Sequence, residues 1–129
     1  MLDRFRNIRE KIDYTAWKTS HSKAEELILD AAKKEREGNP TYVYLFLMAA
    51  RFEEQAYIQT PPSDIGNRVR ITVGAANCFL KGGDDVRAER FSASALSQMD
   101  SSNIEFEYAR EQAIRINLAA KRNLVQRIK

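Results

Sequence analysis

The side chains that most often carry enzyme chemistry are scarce in this sequence. The chain contains one His and one Cys, so it lacks the donors for a multi-ligand Cys/His metal site. His21 lies in the segment Thr-Ser-His-Ser, where we expect a solvent-facing or capping residue and not a general base. Cys78 has no His or second Cys close in sequence to activate its thiol, which is typical of a small hydrophobic residue in a helix interface.

Glycine and acidic pairs do not indicate a reaction either. The segment from Lys81 to Asp84 contains two glycines but lacks the spacing and the terminal Lys-Ser/Thr of a phosphate-binding loop. The adjacent acids Glu53 and Glu54 would point about 100 degrees apart on a helix, so their spacing alone does not make a catalytic pair. The sequence therefore predicts no catalytic residue, no metal ligand and no cofactor, and it favours a binding protein over an enzyme.

Basic residues are concentrated at both ends of the chain. The formal net charge is +3, yet residues 110–129 alone hold six basic residues against one acid. The first eighteen residues hold five basic residues against three acids. Basic ends favour an anionic partner, although ordinary solvated helix faces would give the same pattern. The candidate residues for an anionic partner are Arg110, Arg115, Lys121, Arg122 and Arg127.

The composition indicates one folded domain. The chain has 129 residues, 43% of them hydrophobic and 30% charged with both signs plentiful, so we expect one compact core over residues 1–129. The single cysteine cannot form an internal disulfide, and residues 1–9 offer no apolar signal segment, so we expect a reducing, cytoplasmic location. The fully apolar run from Tyr42 to Ala50 is much shorter than the roughly 20 residues that span a bilayer, so no transmembrane segment is predicted.

Apolar residues recur at helical spacing along the whole chain. Residues that typically cap or break helices separate the periodic segments: two capping boxes (Ser22 with Glu25, Ser102 with Glu105) and the pairs Pro61-Pro62 and Gly82-Gly83. No convincing strand remains, and the short connections favour antiparallel neighbours. The predicted helices cover about residues 2–16, 23–37, 41–58, 64–81, 85–99 and 103–128.

These elements predict an all-α fold of about six antiparallel helices, in a repeat-like or irregular bundle. The amphipathic helix 2–16 comes first, helical hairpins follow over 23–99, and the long helix 103–128 is basic. Because helix 41–58 is apolar on nearly every side in its first half, we expect it to be the most buried element.

The last helix carries two apolar seams. One seam holds Phe106, Ala109, Ala113, Ile116 and Ala120, and the other holds Ile114, Leu118, Val125 and Ile128. A helix with two seams needs two neighbours. The second neighbour is either another part of the same domain or a second copy of the chain, so Ile114, Leu118 and Val125 are the candidate residues of a homodimer interface.

Residues 66–99 resemble one tetratricopeptide repeat, a helix pair in which small residues allow close packing around a turn. The resemblance is carried by Ala76, Phe79, the turn Gly83-Asp84, Ala88 and the pair Ala95-Leu96. Thr72 and Ser92 depart from it, since the family commonly has aromatic residues there. A degenerate second unit lies 45 residues upstream, where Ala31, Gly38 and Ala50 match Ala76, Gly83 and Ala95.

The resemblance implies a protein or peptide partner held on the first helix of each pair. In this sequence the corresponding residues are Arg70, Val73, Asn77, Leu80 and Lys81. The leading prediction is therefore a non-enzymatic interaction module or small adaptor. Two alternatives remain open: nucleic-acid binding through the basic terminal helices, and membrane-surface docking of the first helix.

Overall fold

A computed structural model describes the backbone of residues 2–99 and 104–128 and the side chains from residue 15 onward within these ranges. All the regular secondary structure in these ranges is helical. The prediction of an all-α fold is confirmed for these residues. Within these ranges there are five α-helices in place of the expected six or so. They are α1 (Leu2–Arg36), α2 (Tyr42–Gln59), α3 (Ile65–Lys81), α4 (Asp85–Gln98) and α5 (Glu107–Ile128), the last preceded by a 3-10 turn (Ile104–Phe106).

The count differs because the first two predicted helices are one. Residues 2–36 form a continuous helix, and Ser22, which we expected to cap a new helix, lies exposed in its middle. Neither Gly nor Pro interrupts this stretch, and Trp17, Ala24 and Ala31 continue a single buried face through the expected break. Packing along that face outweighs the local capping signal. The second capping residue, Ser102, lies outside the described residues.

Two helix ends are built in the same way. Gly38 follows α1 with φ +72° and Gly83 follows α3 with φ +83°, a backbone conformation that glycine adopts without strain. At each end the glycine amide donates to the carbonyl three residues back, and the next amide donates five residues back, to Lys34 in one case and Phe79 in the other. The two expected turns are therefore real helix ends with one geometry.

Consecutive helices pack against each other, and α5 also contacts α3. The core contains the fully buried rings of Phe46 and Phe79, each worth about 1.5–3 kcal/mol of transfer free energy. Around them the chain uses alanines, which let helices approach closely. The prediction that helix 41–58 is the most buried is wrong: α3 buries eight residues and α2 five, and Tyr44 and Ile58 are exposed.

No helix among the described residues is both long enough and apolar enough to cross a lipid bilayer.

Candidate partner-binding groove

A surface groove of about 570 Å³ lies between α3 and α5. The α3 side of the groove has four residues at helical spacing, and the α5 side and its preceding turn have six. The lining residues are Arg70, Val73, Gly74, Asn77, Glu105, Tyr108, Ala109, Gln112, Arg115 and Ile116.

The α3 wall is one face of a helix that begins at a well-formed cap. Asp64 accepts a hydrogen bond from the amide of Asn67 at 3.3 Å, which fixes where α3 starts. From that start, Arg70, Val73 and Asn77 fall at positions i, i+3 and i+7 and share one face. Val73 is buried and forms part of the apolar floor, whereas Arg70 and Asn77 are exposed at the rim.

The α5 wall repeats this arrangement of an apolar floor and a polar rim. Ile116 is buried and lies on the floor with Val73. Tyr108 and Arg115 are exposed, and the Gln112 amide donates a hydrogen bond of 3.0 Å to the Tyr108 hydroxyl. The groove therefore has apolar side chains at its base and hydrogen-bonding side chains above them.

The polar groups of the rim suit a ligand that carries carboxylates. Arg70 and Arg115 approach the same groove from different helices, and Glu105 is its one acidic lining residue. A guanidinium group binds a carboxylate through two parallel hydrogen bonds, and the amides of Asn77 and Gln112 can both donate and accept. Two guanidinium groups and two side-chain amides therefore surround an apolar floor.

The structure brings three of the five predicted partner-binding residues together. Arg70, Val73 and Asn77 line the groove, but Leu80 packs against the core and borders a separate surface depression. Lys81 reaches away from the groove, since its Nζ lies 3.7 Å from a Glu35 carboxylate oxygen and 5.2 Å from the centre of the Phe46 ring. The last turn of α3 meets α1 and α2 there, which takes Lys81 away from the groove.

The basic residues of α5 do not share one face. Helical geometry puts Arg110 and Lys121 on one side and Arg115 and Arg122 on another. Arg127 serves a structural contact: its guanidinium lies 2.7 Å from the buried carboxylate of Asp85 and donates to the Gly83 carbonyl at 3.1 Å. Only Arg115 of the five lines the groove.

The two apolar seams of the last helix have different surroundings. Phe106, Ala113, Ile116 and Ala120 are buried in the core. The second seam faces away from it: Ile114 is 44% exposed, Leu118 58% and Val125 54%. Among the described residues, the side chains of this second seam are therefore not packed in the core.

The sequence did not predict a contact between the buried Glu53 and the half-buried His21. His21 is not a capping residue but a half-buried bridge in α1: its Nδ1 lies 2.7 Å from Oε1 of Glu53, and its Nε2 lies 2.9 Å from Oε1 of Glu25. Glu53 on α2 is only 2% exposed. A β-carbon added at Gly74 of α3 would lie 2.7 Å from Glu53 Oε2, so alanine at this position would require the buried Glu53 carboxylate to shift.

The environment shifts the pKa of these groups. The hydrogen bond to Glu53 raises the pKa of His21, and burial raises the pKa of Glu53 despite the opposing effect of His21. Burial also raises the pKa of the nearby Cys78 thiol to about 12, so this thiol is not an activated nucleophile.

Only part of this cluster left a signal in the sequence. The spacing of His21 and Glu25, one helical turn apart, could have suggested their contact. A glycine inside a helical pattern, as at Gly74, could have suggested a close approach. The partnership with Glu53, 32 residues from His21, has no local signal.

The two ring nitrogens of His21 point in opposite directions, and among the described residues no group of three His, Cys, Asp or Glu is placed to hold a metal ion.

Comparisons of the chain with protein-family models, with curated proteins and with solved structures found no match.

Proposed function

We propose that this protein is a non-enzymatic interaction module that binds an acidic peptide segment of a partner protein in the groove between α3 and α5. The observation that carries the proposal is the pair Arg70 and Arg115, which come from different helices and line one groove. Val73 and Ile116 supply an apolar floor between them, so a peptide would gain both charge pairing and burial.

One expectation from the sequence and one observation agree with this function. If residues 66–99 form a tetratricopeptide-like unit, a peptide would lie on the first helix of the pair, which is α3. The basic residues of α5 point in several directions, which disfavours the alternative of nucleic-acid binding, because phosphate contacts need a continuous basic surface. We also propose a reducing location such as the cytoplasm, with which the free thiol of Cys78 is compatible.

Fluorescence titration with short labelled peptides tests the proposal. One peptide alternates Glu with Leu, and its matched counterpart carries Gln in place of Glu. We expect the first peptide to bind and the second to bind at least about tenfold more weakly, because charged hydrogen bonds contribute roughly 1.5–3 kcal/mol. Equal binding of the two peptides, or binding of neither, would contradict the proposal.

Substitutions place the binding site on the molecule. Arg70→Gln and Arg115→Gln should each weaken binding of the Glu peptide about tenfold. Arg90→Gln is the matched control, since Arg90 is also exposed on a helix but lies on α4 outside the groove. If Arg90→Gln weakens binding as strongly as the groove variants, the acidic peptide is held by general charge attraction and not by this groove.

Short DNA added as a competitor tests the nucleic-acid alternative, which predicts displacement of the peptide.

A further inference from the structure

The outward side of α5 carries a regular stripe of exposed residues. We call it the outer stripe, and its members alternate spacings of four and three residues, as in a coiled-coil seam. The outer stripe consists of Glu107, Glu111, Ile114, Leu118, Lys121 and Val125. All six are exposed, and the three apolar members are between 44% and 58% exposed.

The side of α5 opposite the outer stripe packs against its own chain. Ala113, Ile116 and Ala120 are buried on the side that packs against α3 and α4. Asn117 of α5 also bonds to α4, with its amide 3.0 Å from the Ser92 hydroxyl. The outer stripe lies on the opposite side, so it is free to contact another molecule without disturbing the packing of α5 in its own chain.

The order of charges along the outer stripe selects the kind of contact. Acidic residues occupy its N-terminal end, two apolar residues its centre, and Lys121 its C-terminal part. The spacings are symmetric about residue 116, so an antiparallel copy of α5 would place Ile114 opposite Leu118 and Glu111 opposite Lys121. A parallel copy would place Glu111 against Glu111 and Lys121 against Lys121, which is repulsive.

We propose that the outer stripes of two copies of this chain pair antiparallel across a twofold axis and form a homodimer. The apolar centre would be buried between the two helices, and two Glu111–Lys121 pairs would flank it. A twofold contact uses the same surface on both copies, which the symmetric order of the stripe satisfies. Arg115 faces the peptide groove and is not part of the stripe, so the dimer and the groove use different sides of α5.

Sedimentation equilibrium of the full chain measures the dimer directly. We expect a species of twice the 14.8 kDa mass of one chain at high concentration. Leu118→Glu should abolish it while leaving a folded monomer, because Leu118 is mostly exposed in the single chain. The matched control is Leu29→Glu on α1, which changes a residue that is 73% exposed and should leave the dimer intact. A wild-type chain that stays monomeric up to about 1 mM would overturn the proposal.

A charge exchange tests the antiparallel order. Glu111→Lys and Lys121→Glu should each weaken the dimer by roughly three- to tenfold, because each leaves two like-charged pairs. The double variant restores opposite charges and should recover the wild-type dissociation constant. In a parallel dimer each single exchange replaces one like pair by another like pair and should leave the affinity unchanged. Single variants that dimerise as strongly as wild type, or a double variant that stays weak, would overturn the antiparallel order.

Cross-linking gives an independent test of the same order. In the double variant Glu111→Cys, Lys121→Cys, mild oxidation should join two chains through the introduced thiols. Cys78 is buried, so it should not take part. Cross-linking of Glu111→Cys alone to the same extent would overturn the antiparallel pairing.

The homodimer proposal and the peptide-groove proposal can be rejected independently of each other. Leu118→Glu should leave the affinity for the Glu–Leu peptide unchanged, since Leu118 is not a groove residue. A monomeric wild type that still binds the peptide would overturn only the dimer. A monomeric chain that sediments with anionic lipid vesicles through Leu118 would overturn it in favour of a membrane surface.

Discussion

Two carboxylates are equally buried in this protein and are stabilised in different ways. Glu53 and Asp85 are each 2% exposed. Glu53 lies in the interior of α2 and has the half-buried His21 as its partner at 2.7 Å. Asp85 lies in the first turn of α4, where the helix dipole favours negative charge, and is bonded by Arg127 at 2.7 Å and Asn123 at 3.0 Å.

The difference shows that equally buried carboxylates can depend on partners of different chemistry. The partner of Asp85 is a guanidinium, which stays charged at every accessible pH. The partner of Glu53 is an imidazole, which loses its charge near neutral pH. The contact among α1, α2 and α3 at Glu53 should therefore respond to pH through the imidazole of His21. The following predictions test this contrast.

Removal of Arg127 should have the largest effect. Arg127→Ala leaves Asp85 buried with the Asn123 amide as its remaining side-chain partner, and a buried charge without its counterion is costly. We expect a loss of about 2 kcal/mol in the free energy of unfolding, measured by urea denaturation. Arg122→Ala removes an exposed arginine from the same helix and should change stability by less than about 0.5 kcal/mol. Equal effects of the two variants would show that the Asp85 contact has no special role.

A methyl group at Gly74 should test how tightly Glu53 is held. Gly74→Ala would normally stabilise a helix interior by up to about 1 kcal/mol. Here the new β-carbon would lie 2.7 Å from Glu53 Oε2, so we expect a net loss of about 1–2 kcal/mol in urea denaturation.

Two controls accompany Gly74→Ala. Gly66→Ala, in the same helix with no atom within 4 Å of the new carbon, should be neutral or stabilising. In a Glu53→Ala background, Gly74→Ala should change sign and become stabilising. A destabilising effect that persists without Glu53 would mean that another neighbour restricts Gly74.

The smallest effect should be a pH dependence of stability at His21. The pKa of His21 is raised in the folded chain, so its contribution is fully present below its ordinary value of 6.5 and is lost as pH rises through the raised pKa. The raised pKa of Glu53 acts in the same direction, because ionisation of Glu53 above its ordinary value of 4.5 is less favourable in the folded chain. Urea midpoints should therefore fall as pH rises above about 4.5, where Glu53 contributes, and should fall further above about 6.5, where His21 contributes.

The His21 effect should stay below about 1 kcal/mol, because the side chain is 34% exposed and solvent screens its interactions. His21→Gln should remove the decline above pH 6.5. Glu25→Gln should alter it less, because Glu25 is 62% exposed. A decline that is unchanged in His21→Gln would assign the pH dependence to other groups.

Local signals predicted most helix ends, and failed where a long-range contact was stronger. Asp64 and Asp84 follow the predicted breaks at Pro61-Pro62 and Gly82-Gly83, and they accept amide hydrogen bonds from Asn67 and Arg87 at the starts of α3 and α4. Ser22 carries an equally good local signal, yet α1 continues through it. A cap stabilises a helix end by about 1 kcal/mol, which burial of Trp17, Ala24 and Ala31 along one face can exceed.

The candidate groove was predictable in part. Arg70, Val73 and Asn77 share a face by spacing alone, so the α3 wall followed from the sequence. The α5 wall did not, because the residues opposite them lie about forty positions further along the chain. Lys81 shows the converse: its spacing placed it near the groove residues, but Glu35 and Phe46 draw it to another surface.

The sequence by itself determined the helical class, the turn glycines and the amphipathic faces, because these depend on residues within a few turns of one another. Only the tertiary structure decided which faces meet, and with them the pairing of His21 with Glu53, the groove between α3 and α5, and the exposure of Leu118. These contacts join residues far apart in the chain. They depend on the summed packing of whole helices, which no short stretch of sequence contains.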